Sequence, residues 1–178
     1  VDIMGYACLV AIMSMGLGYH EASENNLHKC TVQNQNKTPV ITSAGALITG
    51  LKALNARKIA LLCPYMKNLA KTVVNYISHE GFEVCDWHTL QIPNNLDVAA
   101  HDPENLIDHA CNLQLDKVDV IVVSACVQMP SLSIIPKLEQ ITQKPVISAA
   151  VCTVYSMLKS LNLEPIVPEA GKLLVGDY

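Results

Sequence analysis

Two cysteines stand at equivalent points of a repeated pattern. Val118-Asp-Val-Ile-Val-Val-Ser-Ala-Cys126-Val-Gln-Met-Pro-Ser131 reads as a buried strand that ends on a cysteine, turns and opens a helix. Val1-Asp-Ile-Met-Gly-Tyr-Ala-Cys8 repeats it with one residue of slippage. A thiolate is a good nucleophile, and a thiol of pKa about 8.5 is a usable acid. If the two face each other across a cleft, they can act on a small molecule as nucleophile and proton donor, or as two opposed acid/base groups. A lone cysteine at a strand end is ordinarily a core residue, so the repetition is what makes Cys8 and Cys126 candidates.

The elements that must position them also repeat. Pro39-Val-Ile-Thr-Ser-Ala44 matches Pro145-Val-Ile-Ser-Ala-Ala150, and Leu51-Lys-Ala-Leu-Asn55 matches Leu158-Lys-Ser-Leu-Asn162. So long a period is not that of a solenoid; it predicts an α/β chain of two similar lobes, each a parallel sheet flanked by helices, with the active site in the cleft between them. The first lobe takes residues 1–42 and 149–178, and the second takes 43–148. Strands are expected at Asp2–Ala7, Pro39–Thr42, Lys58–Cys63, Phe82–His88, Val118–Ala125 and Pro145–Ser148, alternating with helices as βαβ units require. Residues 8–18 read as a loop and 30–38 as a surface connection. Pro64 is expected to open a helix, with Tyr65 at its start. The turn-rich run 91–100 leads to Asp102-Pro103, a cap ahead of the next helix. Leu132, Ile135, Leu138 and Ile141 predict an inward face, as do Val151, Val154, Tyr155, Leu158 and Leu161; the tail, 164–178, is expected to add an edge segment. In open parallel sheets ligands lie at the carboxyl ends of the strands, where Cys126 falls.

Composition narrows the function classes. The net charge of −4, with no basic cluster, argues against a nucleic-acid partner. No apolar run reaches about 18 residues and no signal-peptide pattern opens the chain, so neither a membrane nor export is expected. Seven cysteines, odd in number and widely spaced, fit reduced thiols and a cytoplasmic protein rather than a disulfide framework. With no Cys-x-x-Cys and no zinc-finger spacing, no metal is expected. Cys63, Cys85, Cys111 and Cys152 read as small core residues. None of the six histidines is assigned to catalysis, and Lys67 reads as a solvated surface lysine. The one arginine, Arg57, precedes a strand and so sits at the wrong end of the sheet to clamp a carboxylate.

The stretches Ala7-Cys8-Leu9-Val10-Ala-Ile-Met-Ser14, Pro64-Tyr65-Met66-Lys67, Asn94-Asn95-Leu96 and Ser124-Ala-Cys126-Val127-Gln-Met-Pro-Ser131 together resemble the maleate cis-trans isomerases of the aspartate/glutamate racemase superfamily. The resemblance covers essentially the whole chain, and the separation of 118 residues between the cysteines suits it. Racemases of the superfamily follow their cysteines with polar pairs, whereas Leu9-Val10 and Val127-Gln128 follow here. Arylmalonate decarboxylases keep only the second cysteine. The resemblance implies cofactor-free conversion of the small dicarboxylate maleate to fumarate by a homodimer. Cys8 would be the nucleophile and Cys126 the proton donor; Tyr65 and Asn95 would contact the carboxylates, and Leu9, Val10 and Val127 would line the site. As bland alternatives, Tyr65 is a surface aromatic and Asn95 a turn former. The resemblance also implies a further βαβα portion, about 60 residues, ahead of Val1, leaving the first lobe incomplete at its N-terminus. The alternatives are another enzyme of the superfamily, a racemase or decarboxylase, and a non-catalytic protein that binds small anions.

Overall fold

Strands buried on both faces decide the architecture. In the computed structural model, which describes residues 1–176, six strands form two sheets, all their pairs parallel. Strands β1 (Met4–Tyr6) and β2 (Val40–Thr42) make the first sheet. The second has β3 (Lys58–Cys63), β4 (Glu83–Thr89), β5 (Val120–Ser124) and β6 (Val146–Ser148) in the order β4-β3-β5-β6. Central strands β3 and β5 are apolar and buried almost throughout, whereas edge strand β4 is not. Eight helices alternate with the strands: α1 (Leu9–Met13), α2 (Tyr19–Gln33), α3 (Ser43–Ala53), α4 (Lys67–His79), α5 (Asn95–Ala99), α6 (Asn105–Cys111), α7 (Ile135–Thr142) and α8 (Ala149–Ser160). This is the expected two-lobed α/β architecture.

The sequence repeat has a structural counterpart. Thr42 and Ser148 end their strands and cap α3 and α8 through side-chain oxygens that accept from the Gly45 and Val151 amides. Asn55 and Asn162, just past the ends of the same two helices, both adopt left-handed backbone, φ 51° and 57°, which asparagine tolerates better than most residues. Helices α3 and α8 pack on each other, joined by a hydrogen bond from Thr153 Oγ1 to Ser43 Oγ (3.0 Å). Gly50 of α3 lets the backbones approach, since a Cβ there would lie 2.5 Å from Cys152 Sγ.

Several expectations need correction. Residues 8–18 are not all loop: five form α1, which buries Leu9, Ile12 and Met13. Helix α2 runs to Gln33, into the segment read as a connection. Cys85 and Cys111 are exposed, Cys85 because edge strand β4 turns alternate residues outward and Cys111 because it lies on the outer face at the end of α6. Leu132 and Ile141 are 55% and 57% exposed, because residues 132–134 form a 3-10 turn that offsets the apolar stripe, leaving Ile135 and Leu138 inward. Val154 likewise faces outward on α8, while Val151 and Tyr155 are buried. The tail adds no strand among its described residues; Lys172–Leu174 is a 3-10 turn that buries two leucines, and residues 177–178 lie outside the described residues.

Filling the contact between α3 and α8 tests this packing. Gly50→Val should destabilise the fold by about 1–3 kcal/mol through overpacking. Thermal unfolding reads it, and an unchanged midpoint would mean that the helices separate there at no cost.

Candidate active site

The carboxyl ends of strands from both sheets supply the candidate residues. Cys8 lies two residues past β1, Tyr65 two past β3, and Cys126 two past β5, while the connection after β4 leads to Asn95. The pairing of β5 with β6 shifts register between Val122 and Ser124, just ahead of Cys126. The buried Ser124 then holds the turn: its hydroxyl donates to the Cys126 carbonyl (2.6 Å) and accepts from the Cys126 amide (3.2 Å). Cys126 is 8% exposed, whereas Cys8 is open to solvent.

Tyr65 ties the parts together. Its hydroxyl donates to the Ala125 carbonyl (2.9 Å), and its own carbonyl accepts from Thr89 Oγ1 at the end of β4. Burial raises the phenol's pKa most; the Cys126 charge and a hydrogen bond with Cys126 raise it further, and the charges of Cys63 and Cys8 add to this. Tyr65 is thus a protonated hydrogen-bond donor beside the Cys126 turn. Beneath it, burial pushes the Cys63 thiol up to about 11, against hydrogen bonds from Thr89 and Tyr65 that lower it, so Cys63 stays a neutral thiol at ordinary pH.

The other candidates sit on the elements that follow these strand ends. Leu9 opens α1 with its side chain in the core. Cys8 is the residue before that helix, in extended conformation. Val10 and Val127 are half-buried against the core, and Val127 also lines a cavity of about 240 Å³ with Ser148 and Val154. Tyr65 is not on a helix: Met66 is the N-cap and Lys67 the first helical residue, exposed as expected. Asn94 rather than Asn95 takes the turn-forming role, its side chain capping α5 by accepting from the Leu96 amide (3.0 Å). The Asn95 side chain is thereby free of backbone duty. Arg57 does lie at the far end of β3, where its amide donates to Asp119.

Sequence reasoning missed the residues that hold this arrangement. Ser124 was visible only as part of the cysteine motif. Thr89 and Gln128 had no local signal, because their partners, Tyr65 and Asn95, are 24 and 33 residues away. Among the described residues no group of three or more His, Cys, Asp or Glu side chains is placed to hold a metal.

Accessibility of the thiols gives a direct check. Burial raises the pKa of Cys152 as well as that of Cys63. Iodoacetamide at mildly alkaline pH should therefore label Cys8, Cys30, Cys85 and Cys111 in the folded protein and spare Cys63 and Cys152 until denaturant is added. Peptide mass spectrometry reads the pattern, and prompt labelling of Cys63 would contradict a closed end of β3.

The family model described as arylmalonate decarboxylase matches residues 4–174. A maleate isomerase of Pseudomonas putida is 58% identical over 178 residues, which is 100% of this chain and 71% of the relative. The crystal structure of a variant of the maleate isomerase Iso from Pseudomonas putida S16, with maleate, superposes with a TM-score of 0.98 at 56% identity, covering 100% of this chain and 71% of that one. A mutant of the Nocardia farcinica maleate cis-trans isomerase, with a covalently bound succinylcysteine intermediate, gives a TM-score of 0.97 at 41% identity and covers 99% of this chain and 72% of that one. On the family match and on these identities, the chain belongs to the arylmalonate decarboxylase family and groups within it with the maleate isomerases.

Proposed function

We propose that this protein isomerises maleate to fumarate without a cofactor, through a succinyl thioether on Cys8. The observation that carries the reading is that Cys8 and Cys126 each lie two residues past the carboxyl end of a parallel strand, one from each sheet, with the Tyr65 hydroxyl bonded to the Ala125 carbonyl next to Cys126. A relative that holds a succinylcysteine supports it. The Cys8 thiolate adds to C2 of the double bond, forming a C–S bond, and the π electrons move to C3, where they take the proton from the Cys126 thiol. The C2–C3 bond is now single and rotates. The Cys126 thiolate then removes a proton from C3, the double bond re-forms, and Cys8 leaves with the electrons of the C–S bond. Atoms and charge balance over the cycle, and each cysteine returns to its starting state.

Binding is assigned to neutral groups. Tyr65 and Asn95 contact the carboxylates, and Leu9, Val10 and Val127 line the site. With Arg57 just ahead of β3, at the end opposite the cysteines, its guanidinium is out of reach, so hydrogen-bond donors hold the dianion. The lobes are divided as 1–42 with 149–178, and 43–148. The protein works in the cytoplasm. It is a homodimer, and the exposed apolar residues Leu132 and Val154 along one cavity are compatible with coverage by a second copy. Sedimentation at the monomer mass at micromolar concentration would remove the dimer.

The test uses the protein with the segment expected ahead of Val1. Incubation with maleate should yield fumarate and, after a mild quench, a maleate-sized adduct on the Cys8 peptide. Cys8→Ser should keep the fold and lose more than about a thousandfold in kcat. Near-normal turnover in that variant would take Cys8 out of the mechanism. Activity lost in Cys126→Ala but kept in Cys8→Ala would instead favour a decarboxylase, the alternative that the family match keeps in view.

A further inference from the structure

Helix α5 has little of its own to hold it in place. It is five residues long, too short to be stable alone, and Val98 is its one buried residue. Asn94 caps it from within. Among the described residues a single side-chain hydrogen bond reaches it from another element: Gln128 Nε2 donates to the Asn95 carbonyl at 2.7 Å. The carbonyl only accepts, so the amide nitrogen of Gln128 must face it, and the orientation of the side chain is fixed by that chemistry. Gln128 is two residues past Cys126, on the turn that Ser124 braces. The bond therefore fastens the backbone of Asn95 to the segment that carries the proton donor.

We infer that Gln128 is a positioning residue for substrate binding, which sets the distance between Asn95 and Cys126 and so places one substrate carboxylate relative to the carbon that is protonated. The inference rests on the proposed isomerase reading. Gln128 is exposed and makes its bond to backbone, so it acts through Asn95 rather than on the reacting atoms. Losing it frees the start of α5 while leaving both cysteines, Tyr65 and Ser124 in place. The consequence falls on the carboxylate contact, which is made in the ground state and the transition state alike, and so on KM.

Steady-state kinetics on the full protein test this. Gln128→Leu, which removes the donor, should raise KM for maleate about fivefold, the change expected from one lost hydrogen bond. Its kcat should stay within about twofold, and the thermal midpoint should not move. Gln128→Glu keeps the shape but sets an acceptor against an acceptor, so it should be no better than Gln128→Leu. In an Asn95→Ala background Gln128→Leu should have no further effect on KM, because the group it positions is gone. Unchanged KM in Gln128→Leu, a fall in kcat alone, or effects that simply add in the double variant would each overturn the inference while leaving the isomerase reading intact. Wild-type protein that does not convert maleate would remove that reading, and the inference with it.

Discussion

The turn after β5 is the point on which the site depends. A strand covered on both faces cannot place a polar group along its length without leaving it unpaired, so chemistry is confined to the strand's end. Ser124 is the last residue of that strand, and its hydroxyl satisfies both the amide and the carbonyl of Cys126. The Ala125 carbonyl between them accepts from Tyr65, and the Ala125 amide donates to the Leu62 carbonyl of β3 (3.1 Å). Ala125 and Cys126 thus have both of their backbone groups committed, which holds the turn that carries the Cys126 thiol.

Tyr65 matters for a related reason. Partial burial keeps its hydroxyl protonated, and two elements hold it, β5 through the Ala125 carbonyl and β4 through Thr89. A protonated phenol gives a neutral donor beside the Cys126 turn, where the proposed cycle needs one. Neutrality is suited to a cycle in which each cysteine must give up and recover its charge, since a fixed cation would favour the thiolate throughout. The lack of an arginine here is thus consistent with the chemistry proposed.

The two lobes are related through α3 and α8, which begin on equivalent hydroxyl caps, end on equivalent left-handed asparagines and pack against each other. Each helix starts where a strand stops: α3 follows β2 of the first sheet and α8 follows β6 of the second. Packing them together therefore fixes the relation between the sheets. Cys8 is delivered by the first sheet and Cys126 by the second, so close packing at Gly50 and Cys152 contributes to their separation.

Much of this was legible in the residues, because the signals are local. Alternating strands and helices, the matching segments 39–44 and 145–150, and the two cysteines at strand ends follow from period, propensity and turn chemistry within about ten residues of chain. Exposure was less legible: Cys85, Cys111, Leu132, Ile141 and Val154 are apolar or sulfur-bearing, but edge position and helix phase turn them outward. Only the tertiary structure decided which of the two asparagines caps α5, that Thr89 bonds to Tyr65 and Gln128 to Asn95, and that Cys63 is a buried neutral thiol. The reason is physical. Hydrogen bonds between residues 24 or more apart, and the desolvation that moves a pKa, depend on what the fold brings near, and no stretch of sequence contains both partners.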